Sequence, residues 1–121
     1  MTAVVWLLVL LIGGTGSVLR FLVDGAVASR AGKAFPFGTL AVNISGAVLL
    51  GFITGLALDH DAALLAGTAA VGSYTTFSTW MLETQRLSEE RQIRLAAGNL
   101  VVSLVLGVAA AAAGRWIGVS L

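Results

Sequence analysis

The sequence predicts an all-α membrane protein with four transmembrane helices. Three observations predict it. The chain of 121 residues is 58% hydrophobic and 11% charged, where a soluble domain carries about 25% charged residues. Four apolar stretches reach the length of about 20 residues that a helix needs to cross a bilayer. The segments between them are short and hold most of the charge. A soluble fold of this size has too little interior to hide so much apolar surface.

The first span runs from about Ala3 to Ala28. Its apolar run ends near Ile12, no Lys or Arg precedes it, and the cleavage-like Ala26-Val27-Ala28 lies far downstream, so a cleaved signal peptide is not expected. The second span runs from Phe37 to Leu58, and Pro36 stands just before its first turn, where a proline removes no helical hydrogen bond. The third runs from about Ala62 to Leu82 and the fourth from about Leu95 to Val119. Ser29 to Pro36, Asp59 to Asp61 and Glu83 to Arg94 are expected as connections, with the lone His60 solvated in the second of them. Residues 1–121 then form a single four-helix domain without a linker or an internal repeat. Trp6 and Trp116 lie near the chain ends, where aromatic belts form at the membrane surface.

The net charge of +1 gives no attraction to nucleic acid. The absence of cysteine excludes disulfides, thiolate metal sites and a cysteine nucleophile. An enzyme is not expected, because nothing stands near the serines and threonines to activate them. Four crossings put both termini and the second connection on one side, which holds Arg115 alone. The other side holds Arg30, Lys33, Arg86, Arg91 and Arg94, five against one with Arg20 set aside. The positive-inside rule then places both termini outside.

Chemistry concentrates in the third span, where Gly72-Ser73-Tyr74-Thr75-Thr76-Phe77-Ser78-Thr79-Trp80 is rich in hydroxyls and poor in strong helix formers. A break there would free backbone carbonyls, which membrane ion sites use to hold small cations. An intact helix with hydroxyls bonded to the preceding turn fits the spacing equally well. Phe77, Trp80 and Thr84 share one helical face; Thr76, Thr79 and Glu83 share the next. Aromatic edges beside hydroxyls suit a small anion. The second span adds Thr39 and Asn43, one turn apart, followed by the small-residue stripe Ala47, Gly51 and Gly55. The fourth repeats this design with Asn99, Ser103, Gly107 and Ala111. In the first span Arg20 and Asp24 are candidates for an ion pair at the membrane edge or for charges at a pore mouth. No ring of basic residues lies deep in the spans, so an anion would be held by amide, hydroxyl and ring-edge donors that replace its hydration.

These motifs resemble the small microbial fluoride channels of the Fluc (CrcB) family. The resemblance rests on Gly13-Gly14 through Gly16 to Arg20, on Gly38-Thr39-Leu40 with Val42-Asn43 and Gly46, on Gly72 to Trp80 with Glu83, and on Ser103 and Gly107. It implies a third helix broken at its middle and an antiparallel, dual-orientation dimer with two fluoride pathways. It implies a structural sodium ion at the dimer centre, held by the backbone carbonyls of Gly72 and Thr75. The pathway asparagine falls on Asn43, the pathway aromatics on Phe77 and Trp80, and the polar track on Ser78, Thr79 and Ser103, with Glu83, Thr39 and Arg20 as further matched positions. The implied role is passive export of fluoride across the inner (plasma) membrane.

Two positions depart from the family pattern: Trp80 stands for a second phenylalanine and Asn99 for a common tyrosine. With the lopsided basic count, they suggest one half of a heterodimer inserted in a fixed sense, against a homodimer of two oppositely inserted copies. A small four-helix multidrug exporter is the rival reading, but this chain has no carboxylate at the centre of its first span, where such a mechanism needs one. A non-conducting partner subunit is the other.

Overall fold

The computed structural model describes residues 2–121 and is helical throughout. Helix α1 (Ala3–Ala31) opens on Thr2, whose hydroxyl accepts the Val5 amide at 3.3 Å. It closes on Gly32, which takes a positive φ of 83° that a side chain would resist. Helix α2 (Phe37–Leu56) starts directly after Pro36 and ends where Ala57 turns left-handed. Helix α6 (Ile93–Ser120) follows a turn in which Arg91 also has a positive φ. These three helices are each long and apolar enough to cross a membrane.

The stretch expected as the third span is not one helix. A short helix α3 (His60–Ala63) is capped by the Asp59 carboxylate, which accepts the Ala62 amide at 2.8 Å. It continues into a π-helical segment, Leu64–Val71, and then into α4 (Gly72–Tyr74). Regular helix stops there, Thr75 is extended, and α5 (Ser78–Glu89) begins after Phe77. The second connection is therefore shifted to residues 57–59, and the first and third are shorter than the charge pattern suggested, since α1 runs to Ala31. His60 and Asp61 form a helical turn, and Glu83 to Glu89 belong to α5. Charge marks where a helix leaves the apolar layer; hydrogen bonding decides where it ends.

The surface is inverted relative to a soluble protein. Leu10, Val18, Phe21, Leu104 and Val108 are exposed, while Thr39, Thr76, Asn99 and Ser103 are buried. Water would favour the reverse; a bilayer favours apolar groups outside and polar groups satisfied within. The most extensive packing is α2 against α6. A Cβ on Gly51 would meet the Ala111 carbonyl, and one on Gly114 would meet the Val48 carbonyl. Glycine at these points lets the two backbones touch, the usual basis of helix association in lipid. Earlier in α2, Gly46 leaves room for the Thr75 methyl, which brings the helix against the interruption.

Candidate ion pathway

The interruption between α4 and α5 is held by one side chain. Asn43, from α2, donates through Nδ2 to the Thr76 carbonyl and accepts the Thr76 amide on Oδ1, both at 2.8 Å. In an unbroken helix the Thr76 amide would bond the Gly72 carbonyl, so Asn43 takes that donor and the helix end loses it. The Thr76 hydroxyl caps α5, accepting the Thr79 amide at 3.2 Å and lying 3.2 Å from the Thr79 hydroxyl and 3.4 Å from that of Ser78. The hydroxyl run divides here. Ser73 and Thr75 bond back to Ala69 and Val71 as in an ordinary helix, while Thr76, Ser78 and Thr79 bond one another.

Two grooves adjoin this point, and a third neighbours the second. The first, of about 300 Å³, is lined by Asn43, Thr76, Phe77, Trp80 and Ser103. Phe77 is 69% exposed and meets Trp80 edge to face, with ring centroids 5.7 Å apart at 86°. Ser103 makes no side-chain hydrogen bond among the described residues, which leaves its hydroxyl free beside the two rings. The second groove, of about 210 Å³, lies on the other side of Thr76 and is lined by Ser17, Arg20, Asp24, Thr39 and Thr79. The third, of about 380 Å³, shares Asp24 and adds Lys33, Glu83 and Arg86. The Thr39 hydroxyl donates to the Glu83 carboxylate and links the last two.

The structure thus gathers Asn43, Phe77, Trp80 and Ser103 in one groove and Arg20, Thr39 and Thr79 in another, with Glu83 bonded to Thr39. Ser78 is exposed and borders none of these three grooves. Of the two readings of Arg20 and Asp24, the ion pair is not formed. Arg20 donates to the Thr75 carbonyl at 3.5 Å, and Asp24 packs where Gly38 brings α2 against α1. Arg before Asp at i,i+4 is the less favourable order on a helix. The ion pair among the described residues is instead Arg86–Glu90, at 2.9 Å. Trp80 does not offer its indole N–H to the groove; that group donates to the Asn99 carbonyl at 3.0 Å. Thr76, which joins the first two grooves, was legible only as one hydroxyl among many.

Gly72 and Thr75 border a fourth groove beside Leu50, Thr54 and Gly67. Their carbonyls are hard oxygen donors, the chemistry by which unwound membrane helices hold sodium. The Gly72 oxygen has lost its helical donor to Asn43. The Thr75 oxygen already receives the Arg20 guanidinium, so an ion there would share that oxygen. Two carbonyls suit such an ion in kind but not in number, since hard cations take about six oxygens.

Apolar-surfaced helices around grooves of amide, hydroxyl and aromatic groups define an integral membrane protein of the channel class. Residues 7–115 match the family model described as CrcB-like protein, Camphor Resistance (CrcB), and the chain belongs to that family. It is 71% identical over 114 residues to the fluoride-specific ion channel FluC 2 of Mycolicibacterium paratuberculosis, covering 94% of this chain and 93% of that one. It is 67% identical over 117 residues to FluC 2 of Mycobacterium tuberculosis strain ATCC 25618 / H37Rv, covering 97% and 93%. FluC 1 of Leifsonia xyli subsp. xyli is 43% identical over 122 residues, covering 98% and 89%.

Proposed function

We propose that this chain is a subunit of a fluoride-specific ion channel through which fluoride leaves the cell passively; it is not an enzyme. The observation that carries the mechanism is the groove between α2, α5 and α6, where the Asn43 amide, the Phe77 and Trp80 rings and the free Ser103 hydroxyl face one space. None of these groups carries a charge. An ion entering must exchange its water for ring edges and neutral donors, which favours a small anion. Thr39, Thr79 and Arg20 form an approach on the other side of Thr76, with Glu83 at its margin.

Further parts of the reading rest on the family. The stretch expected as the third span forms a crossing of its own, as a helix broken at Thr75–Phe77. Two subunits pair antiparallel in the plasma membrane. The carbonyls of Gly72 and Thr75 from both subunits hold a sodium ion at the dimer centre, which doubles the number of oxygens that one copy presents. The basic residues on the first and third connections hold this chain in one orientation, termini outside, and its partner is an oppositely inserted homologue. The test is fluoride and chloride efflux from liposomes containing the purified chain alone. Fast fluoride loss with little chloride loss is expected of a self-sufficient channel. No fluoride loss alone, restored by co-expression with a homologue, is expected of the heterodimer. No loss in either case would overturn the channel assignment.

A further inference from the structure

Trp80 is held at both ends by α6 and by its own helix. Its indole Nε1–H donates to the Asn99 backbone carbonyl at 3.0 Å. Its own carbonyl accepts the Thr84 hydroxyl at 2.8 Å and lies 3.4 Å from Asn99 Nδ2. Asn99 Nδ2 also donates to Thr84 Oγ1 at 2.8 Å. The direction of this network is fixed. A hydroxyl has one hydrogen, and that of Thr84 is committed to the Trp80 carbonyl, so toward Asn99 it can only accept. The amide nitrogen must therefore face Thr84, and Oδ1 points away.

Asn99 is 1% exposed, and its Oδ1 is buried without a partner among the described residues. An unsatisfied buried acceptor is destabilising, and an apolar residue of similar size would avoid it. What the asparagine contributes is the tie between α5 and α6. That tie sets the Asn99 carbonyl where the indole N–H reaches it, one helical turn from Ser103. With its N–H engaged there, Trp80 presents only the hydrocarbon of its rings toward Phe77 and the groove.

We infer that Asn99, with Thr84, is a positioning residue for conduction: it turns the polar end of Trp80 away from the groove so that the indole serves as a hydrocarbon edge. The two departures from the family pattern are then one unit, a tryptophan and the residue that engages its donor. This inference rests on the groove of Asn43, Phe77, Trp80 and Ser103 being the ion route.

The test is a double-mutant cycle on fluoride efflux, with Trp80 emission as a second readout in a background where Trp6 and Trp116 are phenylalanine. Asn99→Ala is expected to lower fluoride flux by roughly fivefold, the value of one ordinary hydrogen bond, and to shift the Trp80 emission maximum. In a Trp80→Phe background the same change is expected to cause no further loss, whatever the flux of that background. An equal loss in both backgrounds would overturn the inference, since Asn99 would then act apart from Trp80. So would an unshifted emission. Thr84→Val, which removes the acceptor and keeps the shape, carries the same test if Asn99→Ala does not fold. Ser103→Ala separates the two levels. If it lowers flux while Asn99→Ala does not, the groove stands and this inference alone falls; if Ser103→Ala leaves flux intact, the groove is not the route and the inference falls with it.

Discussion

Asn43 holds both backbone groups of Thr76, donating to the carbonyl and accepting from the amide at 2.8 Å each. No other residue type of similar size offers a donor and an acceptor so placed. Asn43→Ala leaves both Thr76 groups unpaired inside the apolar layer. It is expected to destabilise the protein by about 2 kcal/mol or more, from the loss of buried partners, and to abolish selective fluoride flux. Asn43→Asp keeps the acceptor and loses the donor, and is expected to fail as well. Thermal unfolding in detergent and fluoride efflux measure the two effects. Parent-like stability in Asn43→Ala would show that the interruption does not depend on this side chain.

The contact between α2 and α6 makes a second prediction. Alanine at Gly51 or Gly114 puts a Cβ into the Ala111 or Val48 carbonyl, and the helices must separate. A loss of about 1–3 kcal/mol is expected, as for overpacking elsewhere. Alanine at Gly14 or Gly25 meets nothing within 4 Å and is expected to be neutral or slightly stabilising, because alanine favours the helix. Equal effects in the two pairs would refute the close-contact account.

Arg20 gives the third. Its guanidinium donates to the Thr75 carbonyl at 3.5 Å and lines the second groove beside Asp24, Thr39 and Thr79. Arg20→Gln removes a cation from the approach and is expected to lower fluoride flux, most strongly at low ionic strength, where attraction of an anion is least screened. Arg20→Lys, which keeps the charge, is expected to lose less. A salt-independent loss in both would assign Arg20 to packing alone.

The proposed sodium site gives the fourth. Replacing sodium with a large organic cation is expected to weaken dimers in detergent, because the carbonyls of Gly72 and Thr75 would face one another uncompensated. Dimer dissociation followed against sodium concentration measures this. An unchanged dissociation constant would remove the ion from the assembly.

Orientation is the fifth. With Arg30, Lys33, Arg86, Arg91 and Arg94 against Arg115, single cysteines near the two termini are expected to be labelled from outside in intact cells. Equal labelling from both sides would show dual insertion and remove the argument for a heterodimer.

Particular residues show how far the sequence reached. The first, second and fourth spans were legible because each is a long apolar run, and lipid exposure leaves a signal that no tertiary contact is needed to read. Asn43, Phe77, Trp80 and Ser103 were legible as candidates because polar and aromatic groups stand out against such runs. Their division was not. Nothing in the spacing separates Ser103, which shares a groove with Phe77, from Thr79, which lies on the far side of Thr76. Arg20 and Asp24 sit one turn apart and still do not pair, because each finds its contact on a neighbouring helix.

By itself the sequence determined the solvent, the places of the three long apolar helices, and the residue types available to meet an ion. These depend on composition and local period, which hold whatever the chain packs against. Only the tertiary structure decided which donors remain free. Asn43 gives Oδ1 and one Nδ2 hydrogen to Thr76 and keeps its second hydrogen, the Trp80 indole is claimed by Asn99, and the Ser103 hydroxyl is left open. A hydrogen-bond donor serves an ion only when no nearer acceptor claims it, and the nearest acceptors here belong to helices distant in sequence.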